Sequence, residues 1–496
     1  MAVVLASVTA LQAQHVFVAV FVLLVFMAAK PLLGRLNPPR SAPSFLKSFG
    51  LGAPGFSKRR AEYLRQASNG YFSFWYGANH VVAVSGADAR STFLTSRGLD
   101  PLSGHLAVLG SVLNVDSETS GYARAIFQIF KTCRQDQHIS RNLHHLVTDS
   151  HECFKALGST TVMNPLDIMI GLVYQLTHRI IGVHDIADSQ ELLAHTRKIY
   201  KPLEESSVFD IWFPLLPTPS KLKKFWGYTR LHRIIQGFIQ KRRETAARGA
   251  DGLQLMMDQG CNNWIMSLAI TGAIVAGVFN TSVSAVWNLC YLTHDPPWLS
   301  RVRKEIEDVL SKHRRSASES VTDILHRLSL QDWENSFPLL GLALKETIRF
   351  TMSGPMLRKN IGDSSISLGN TGYVIPRNSL SVYLSEDVHM NPQVYESPST
   401  WDPSRYSQVV SKKAEVPYSY LGWGAGNHPC PGMRFAHLNT LIPTVMFIAK
   451  YDFEMCDAHG SITREPMPDL VFDCIGAGRP ERPVYMKVKE RISSST

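Results

Sequence analysis

The sequence predicts a mainly helical protein with a small β-rich part, set behind one N-terminal membrane helix. Three observations predict it. Helix-like runs recur along the chain, among them 87–95, 138–154, 167–181, 259–294 and 337–350. Aromatic and β-branched residues concentrate in one early stretch, 71–84. From Ala2 to Ala29 there is no Asp, Glu, Lys or Arg. With 496 residues, 45% hydrophobic and 19% charged, the chain can bury a large core, and its length allows about three domains or one large one.

Charge and cysteine usage narrow the classes. The net charge is +10, but the basic residues are spread rather than banked in one tract. That pattern points away from nucleic acid and toward a membrane surface or an acidic protein partner. The seven cysteines (Cys133, Cys153, Cys261, Cys290, Cys430, Cys456 and Cys474) are widely spaced. No Cys-x-x-Cys occurs, so neither a disulfide scaffold nor a zinc finger is indicated.

Residues 1–30 read as a retained membrane anchor. Val16 to Ala29 is continuously apolar and Lys30 ends it. No basic residue precedes the run, so the n-region of a cleaved signal is missing. As helix, the uncharged stretch spans about 42 Å at 1.5 Å per residue, enough to cross a bilayer. Lys30, Arg35, Arg40 and Lys47 follow it, which holds the downstream chain on the cytoplasmic side. Pro31, Pro38, Pro39 and Pro43 make 31–45 a stiff linker. Residues 46–496 remain for the main domain.

Tyr71-Phe-Ser-Phe-Trp-Tyr76 and His80-Val-Val-Ala-Val84 predict a β-hairpin, followed by a helix over 87–95. Gly98 to Gly121 reads as a long irregular loop, because Gly98, Pro101, Gly104, Gly110 and Gly121 punctuate it. Long loops in compact proteins are often functional, and Leu106, Val108 and Leu109 are candidates to line a pocket. Between Tyr200 and Arg243 the chain is aromatic and basic, with Trp212, Phe213, Phe225 and Trp226 clustered. This stretch suits contact with a membrane surface through which lipophilic substrate enters; a solvated helix pair with a proline-rich turn is the alternative.

Gln259 to His294 carries no Asp, Glu, Lys or Arg. Ser267, Thr271, Asn280, Thr281, Ser282, Ser284 and Asn288 make it too polar for a lipid-facing span. A helix apolar nearly all round is then buried in protein. Phe337 to Phe350 is a second predicted helix, with Glu346 and Arg349 three apart on one face. Alone, that pair is an ordinary surface ion pair.

Trp423-Gly-Ala-Gly-Asn-His-Pro-Cys-Pro-Gly432 places Cys430 in a bent loop, and Met433 to Ile442 reads as helix. One reading is a buried cysteine packed as a small hydrophobe. The other is a thiolate ligand. Gly426 and Gly432 allow the backbone close to something flat, and nearby N–H groups can point at the sulfur. The helix N-terminus favours the charged form of the thiol. The pattern of aromatic, two residues, Gly, one, His, one, Cys, one, Gly resembles the haem-binding loop of the cytochrome P450 monooxygenases. Trp423 stands where that family usually has Phe, and His428 where it has Arg or His. Pro429 is less usual there.

Other segments resemble the same family in the same order. Glu346-x-x-Arg349 matches its central helical pair. Trp401-Asp-Pro-Ser-Arg405-Tyr406 resembles its Pro-x-Arg-Phe segment, and His389-Met-Asn-Pro392 the turn before it. The order Glu346, Arg358, Arg405, Cys430 covers the C-terminal half; the likeness is loose over 97–260. The resemblance implies the cytochrome P450 fold, with Cys430 ligating the iron of haem b. It implies that His428 and Arg358 meet haem propionates and that Met356 faces substrate. Glu346, Arg349 and Arg405 become a buried ion triad that positions the cysteine loop. The family's Trp-xxx-Arg propionate grip is missing; Arg124 is a weak substitute. Ala276-Gly-Val-Phe-Asn280-Thr281 resembles the family's oxygen-binding segment, where Asn280 and Thr281 would shape oxygen and proton delivery.

Asn280 falls where the family usually has Thr. The segment is similar to that of bile-acid 7-hydroxylases and of prostacyclin synthase. Asn280 thus keeps a hydrogen-bonding group there but weakens a simple hydroxylase reading. The family resemblance as a whole implies oxidation of a lipophilic small molecule, of sterol, terpenoid or polyketide type, in fungal biosynthesis. Dioxygen and electrons from NADPH would be used, through NADPH-cytochrome P450 reductase and cytochrome b5, at the endoplasmic reticulum membrane. Two alternatives stand beside it: a haem-thiolate isomerase or rearrangement catalyst, and a membrane-tethered binding protein without haem.

Overall fold

The computed structural model describes residues 70–491, apart from 77–78, 109–121, 205–209, 211–215, 353, 370, 408–415, 464 and 472–475. The expected anchor and linker, and Leu109, Trp212 and Phe213, lie outside the described residues. In chain order the elements begin with β1 (Phe72–Tyr76), β2 (Asn79–Val84), α1 (Ala87–Thr95), β3 (Leu99–Asp100) and α2 (Pro101–Val108). Then come α3 (Tyr122–Cys133), α4 (Asp136–Lys155), β4 (Thr160–Met163), α5 (Pro165–Ile180), α6 (His184–Ala187), α7 (Gln190–Glu204), α8 (Pro219–Thr245) and α9 (Gly252–Asp258). The long α10 (Asn263–His294) precedes α11 (Pro296–His313), α12 (Val321–Arg327), α13 (Leu330–Asn335) and α14 (Pro338–Thr351). The rest is β5 (Pro355–Asn360), β6 (Ile366–Ser367), β7 (Val374–Ile375), β8 (Leu380–Leu384), α15 (Glu386–His389), α16 (Met433–Lys450), β9 (Tyr451–Cys456) and β10 (Tyr485–Glu490).

The chain forms two compact units. One takes in the described residues of Met1–Asn114, Glu205–Trp226 and Leu357–Tyr383, the other those of Val115–Glu204, Gly227–Met356 and Leu384–Thr496. The first is built on a five-stranded sheet of order β1-β2-β8-β5-β3. The expected hairpin is its edge, with Phe72 opposite Ala83 and Tyr76 opposite Asn79. β2 then pairs in parallel with β8, Val81 beside Leu380. Helix α1 buries Ala89, Phe93 and Leu94.

The stretch 98–121 departs from its irregular reading. Its first half is ordered as β3 and α2. Pro101 opens the helix, where its missing N–H costs nothing. Gly104, which reads as a loop signal, serves close approach instead. A Cβ there would lie 2.7 Å from Arg358 Cα and 2.8 Å from its backbone nitrogen. Val108 is buried and Leu106 half-buried.

Helix α10 is the core of the second unit. By length and composition it could cross a membrane. It is instead packed against α3, α5, α14 and α16, and Ser267, Thr271, Thr281, Ser282, Ser284 and Asn288 are all buried with most of its apolar residues. Asn262 starts it, its side chain accepting from Trp264 N–H at 2.8 Å. Helix α14 starts on Pro338. Two of its orphan N–H groups, on Leu339 and Leu340, donate to the Glu305 carboxylate at 2.7 and 3.1 Å. Phe225 and Trp226, on α8 in the first unit, are exposed.

Two glycines predict opposite outcomes for one substitution. Gly104→Ala forces backbone apart and should lower the unfolding free energy by roughly 1–3 kcal/mol. Gly237→Ala meets nothing within 4 Å inside α8 and should raise it by about 0.5–1 kcal/mol. Urea unfolding of both variants checks the pair.

Candidate active site

The site is best built outward from the Glu346 carboxylate, which is fully buried on α14. Arg349, one turn on, donates to it twice, from Nε to Oε2 at 2.9 Å and from Nη2 to Oε1 at 2.7 Å. Arg405 Nε donates to Oε1 at 2.9 Å, and the Asp402 backbone N–H to the same oxygen at 3.1 Å. The Tyr406 hydroxyl donates to Oε2 at 3.0 Å. The three residues expected to form a triad are therefore joined, and Tyr406 makes a fourth. Burial, and then the charge on Glu346, push the Tyr406 phenol well above its ordinary range, so it remains a donor.

Two guanidinium groups around one carboxylate leave one positive charge in excess. Carbonyl oxygens take up the remaining donors. Arg349 Nη1 reaches His389 O at 2.6 Å; Arg405 reaches Glu396 O at 2.8 Å and Thr400 O at 2.9 Å. These contacts turn the cluster into a frame for the backbone ahead of the cysteine. His389 Nε2 accepts the Leu421 N–H at 2.9 Å, so its proton sits on Nδ1 when the ring is neutral. The Tyr395 ring lies under the Arg349 guanidinium, 4.9 Å away, and its hydroxyl donates to Ser419 O at 3.0 Å.

Leu421 opens the loop. Gly424 N–H donates to Leu421 O at 2.9 Å and Cys430 N–H to Trp423 O at 2.7 Å, which closes it. Gly424 and Gly426 have φ of 66° and 68°, a region costly for side-chain-bearing residues. Gly424 is also tight, since a Cβ would meet His428 O at 2.9 Å. Gly432 faces the ring of Phe130 on α3, which a Cβ would meet at 3.2 Å. It caps α16, and the first N–H of the helix, on Met433, donates to Cys430 O at 3.3 Å. Arg434, in the first turn, bonds Glu334 and Asp136 and donates to Arg134 O at 2.7 Å, tying that turn to α13 and α4.

Cys430 is half-buried in this setting. The helix end favours the thiolate, as its position predicts, but burial is the larger effect and raises the thiol above its ordinary value; the Gly432 N–H opposes it. On α10, Ala276 is exposed although most of the helix is buried, and a Cβ on Gly277 would meet only Thr177 Cγ2, at 3.6 Å. Open space beside small residues, and a single sulfur presented by a glycine-bent loop, fit a flat iron-bearing macrocycle.

Comparison with known proteins decides the family. The family model for cytochrome P450 matches residues 145–484. The chain belongs to the cytochrome P450 family. It is 30% identical over 462 residues to the cytochrome P450 monooxygenase AacuE of Aspergillus aculeatus, covering 88% of this chain and 90% of that one. It is 28% identical to the cytochrome P450 monooxygenase nsrP of Aspergillus novofumigatus, covering 90% and 89%. Among solved structures, retinoic acid-bound cyanobacterial CYP120A1 superposes with a TM-score of 0.70 at 17% identity, over 91% of this chain and 99% of that one. The P450 is thus a monooxygenase of the haem-thiolate class with fungal relatives.

Asn280 Oδ1 accepts the Ala477 N–H at 2.9 Å, and Thr281 beside it is buried. Arg358 lies in the first unit, buried, with Nη1 donating to Phe93 O at 2.7 Å and Leu94 O at 3.3 Å. Burial lowers its pKa to about 10, so it stays charged at neutral pH. Among the described residues no carboxylate lies within ion-pair distance of it. Arg124 is exposed on α3. His389, Tyr395 and Tyr406 were without a role in the sequence reading. Tyr406 was detectable, as a hydroxyl where the family has Phe; the other two act through backbone atoms and leave no motif.

Two substitutions test the frame. Tyr406→Phe removes one hydrogen bond to a buried carboxylate and should lower stability by roughly 1–3 kcal/mol. Glu346→Ala strands two buried guanidinium groups and should cost roughly 3–5 kcal/mol. Denaturant titrations measure both, and equal small losses would contradict the arrangement.

Proposed function

We propose that this P450 inserts oxygen into a lipophilic small molecule, by hydroxylation or a related oxidation, in a biosynthetic pathway of sterol, terpenoid or polyketide type. The observation that carries the reading is the loop that presents Cys430 between two positive-φ glycines and the start of α16. Cys430 is the residue we assign to the iron. His428 and Arg358 are assigned to the propionates; Arg358 is a buried cation with no carboxylate in ion-pair distance among the described residues, which an anion would satisfy. Trp423, Gly426 and Gly432 shape the loop, and Glu346, Arg349 and Arg405 hold it. Haem b, when bound, supplies the redox chemistry of oxygen insertion. The chain's part is to fix the sulfur, exclude water with the apolar lining of α10, and use Asn280 and Thr281 to shape the oxygen-facing wall.

Electrons come from NADPH through NADPH-cytochrome P450 reductase, with cytochrome b5 as a second donor. The net charge of +10 suits an acidic partner. The uncharged N-terminal stretch holds the enzyme to the endoplasmic reticulum membrane by a single pass, with residues 46–496 as the catalytic domain on the cytoplasmic side. The exposed Phe225 and Trp226 support contact with the same membrane.

The decisive measurement is the absorption spectrum of the reduced, carbon monoxide-bound protein. A red-shifted Soret band that is lost in Cys430→Ala supports the assignment, and an unchanged band in that variant removes it. Turnover should require both NADPH and reductase. Product formed without them would favour rearrangement over oxygen insertion.

A further inference from the structure

Residues 476–478 are tied down more heavily than a surface turn needs to be. Gly476 O accepts the Gly354 N–H at 2.8 Å, and Gly478 N–H donates to Thr351 O at 2.7 Å. Met352 and Ala477 form an antiparallel bridge, and Ala477 is fully buried. These bonds attach the turn to the segment that leaves α14. Two side chains of α10 attach it from the other direction. Asn280 Oδ1 accepts the Ala477 N–H at 2.9 Å, and Trp287 Nε1 donates to Gly478 O at 2.7 Å.

Positions 276, 280 and 287 follow helical spacing, so the exposed Ala276 and both of these side chains share one face of α10. The turn is therefore laid across the face that carries the open, small-residue stretch. Gly476 has φ of 99°, and a Cβ there would run into the Asn280 amide. Residues 280 and 476 are thus coupled by shape as well as through the hydrogen bond to the next residue.

We propose that Asn280 is a positioning residue for substrate orientation. It acts through the Gly476–Gly478 turn, which forms part of the wall beside Ala276, and its carbonyl oxygen is committed to that turn rather than to a proton relay. The proposal rests on the monooxygenase reading only for what the wall faces; the clamp itself is a property of the chain. It explains how an amide can stand where the family usually has a hydroxyl.

The test uses the full-length protein with Asn280→Ala, Asn280→Asp and Gly476→Ala. Hydrogen–deuterium exchange of the peptide carrying Ala477 and Gly478 reads the clamp directly. Asn280→Ala should speed that exchange about tenfold, the effect of losing one buried hydrogen bond. Asn280→Asp keeps the acceptor oxygen and should restore slow exchange. Binding of two nitrogen ligands, followed by difference spectra, reads the wall. The affinity for 4-phenylimidazole should change about fivefold or more in Asn280→Ala and in Gly476→Ala, because its ring must fit beside the wall. The affinity for imidazole, which reports on the iron site alone, should stay within about twofold.

In the double variant, the steric part of the Gly476→Ala effect should be relieved, so the two changes are non-additive. Unchanged exchange in Asn280→Ala overturns the clamp. Parallel loss of both ligands, or a Gly476→Ala protein that binds like wild type, overturns the positioning role. A wild-type protein with no Soret band would defeat the monooxygenase reading instead, and the exchange measurement would still decide the clamp.

Discussion

The Glu346 carboxylate is the constraint on which the cysteine loop depends. A carboxylate with no solvent exposure costs several kcal/mol in lost hydration unless its lone pairs are filled. Here Arg349, Arg405, Tyr406 and the Asp402 N–H fill them. The cluster's surplus positive charge is met by the carbonyls of His389, Glu396 and Thr400. Such an arrangement gives geometry more than net stability, because every member must be in place for any member to be tolerated. Its output is directional. His389 and Tyr395, both against Arg349, each hold one backbone atom of the segment entering the loop. Cys430 thus takes its position from a carboxylate on another helix, through contacts that involve no residue of the loop's own motif.

The loop then resolves a conflict between burial and charge. Low-dielectric surroundings favour the neutral thiol, while the Gly432 N–H and the start of α16 favour the thiolate. Burial is the larger of the two effects on the thiol. A coordinated cation reverses that preference, since a ligating thiol is deprotonated outright. The glycines answer a separate need. Gly424 and Gly426 supply positive φ, and Gly432 supplies clearance for Phe130. Spacing of glycines around a cysteine therefore encodes backbone shape rather than reactivity.

What was legible in the sequence follows from the same physics. The uncharged α10 was readable because a helix free of Asp, Glu, Lys and Arg over 259–294 must be buried or membrane-spanning, and its serines and asparagines favour burial. The hairpin and α1 were readable from short-range pattern, as was the helix carrying Glu346. Helix α2 was missed because Gly104 is a turn signal by propensity, and only the neighbouring backbone of Arg358 explains a glycine there. The bond from His389 to Leu421 and the bond from Asn280 to Ala477 were invisible for another reason. Each joins a side chain to a backbone group far along the chain, and a backbone group has no letter of its own.

The same distinction separates what this fold keeps from what it varies. CYP120A1 shares the architecture at a TM-score of 0.70 with only 17% identity. Most side chains can change while the backbone does not, and function then lives in the residues grafted onto it. Substitution is constrained at the frame around Glu346, because removing one partner strands a buried charge. It is less constrained at the wall, but there the changes are coupled. A side chain at position 476 needs both a smaller residue at 280 and relief from a φ of 99°. Variation in what this wall accepts is therefore expected to involve positions 280 and 476 as a pair, with the turn between α10 and the end of α14 shifting as one piece.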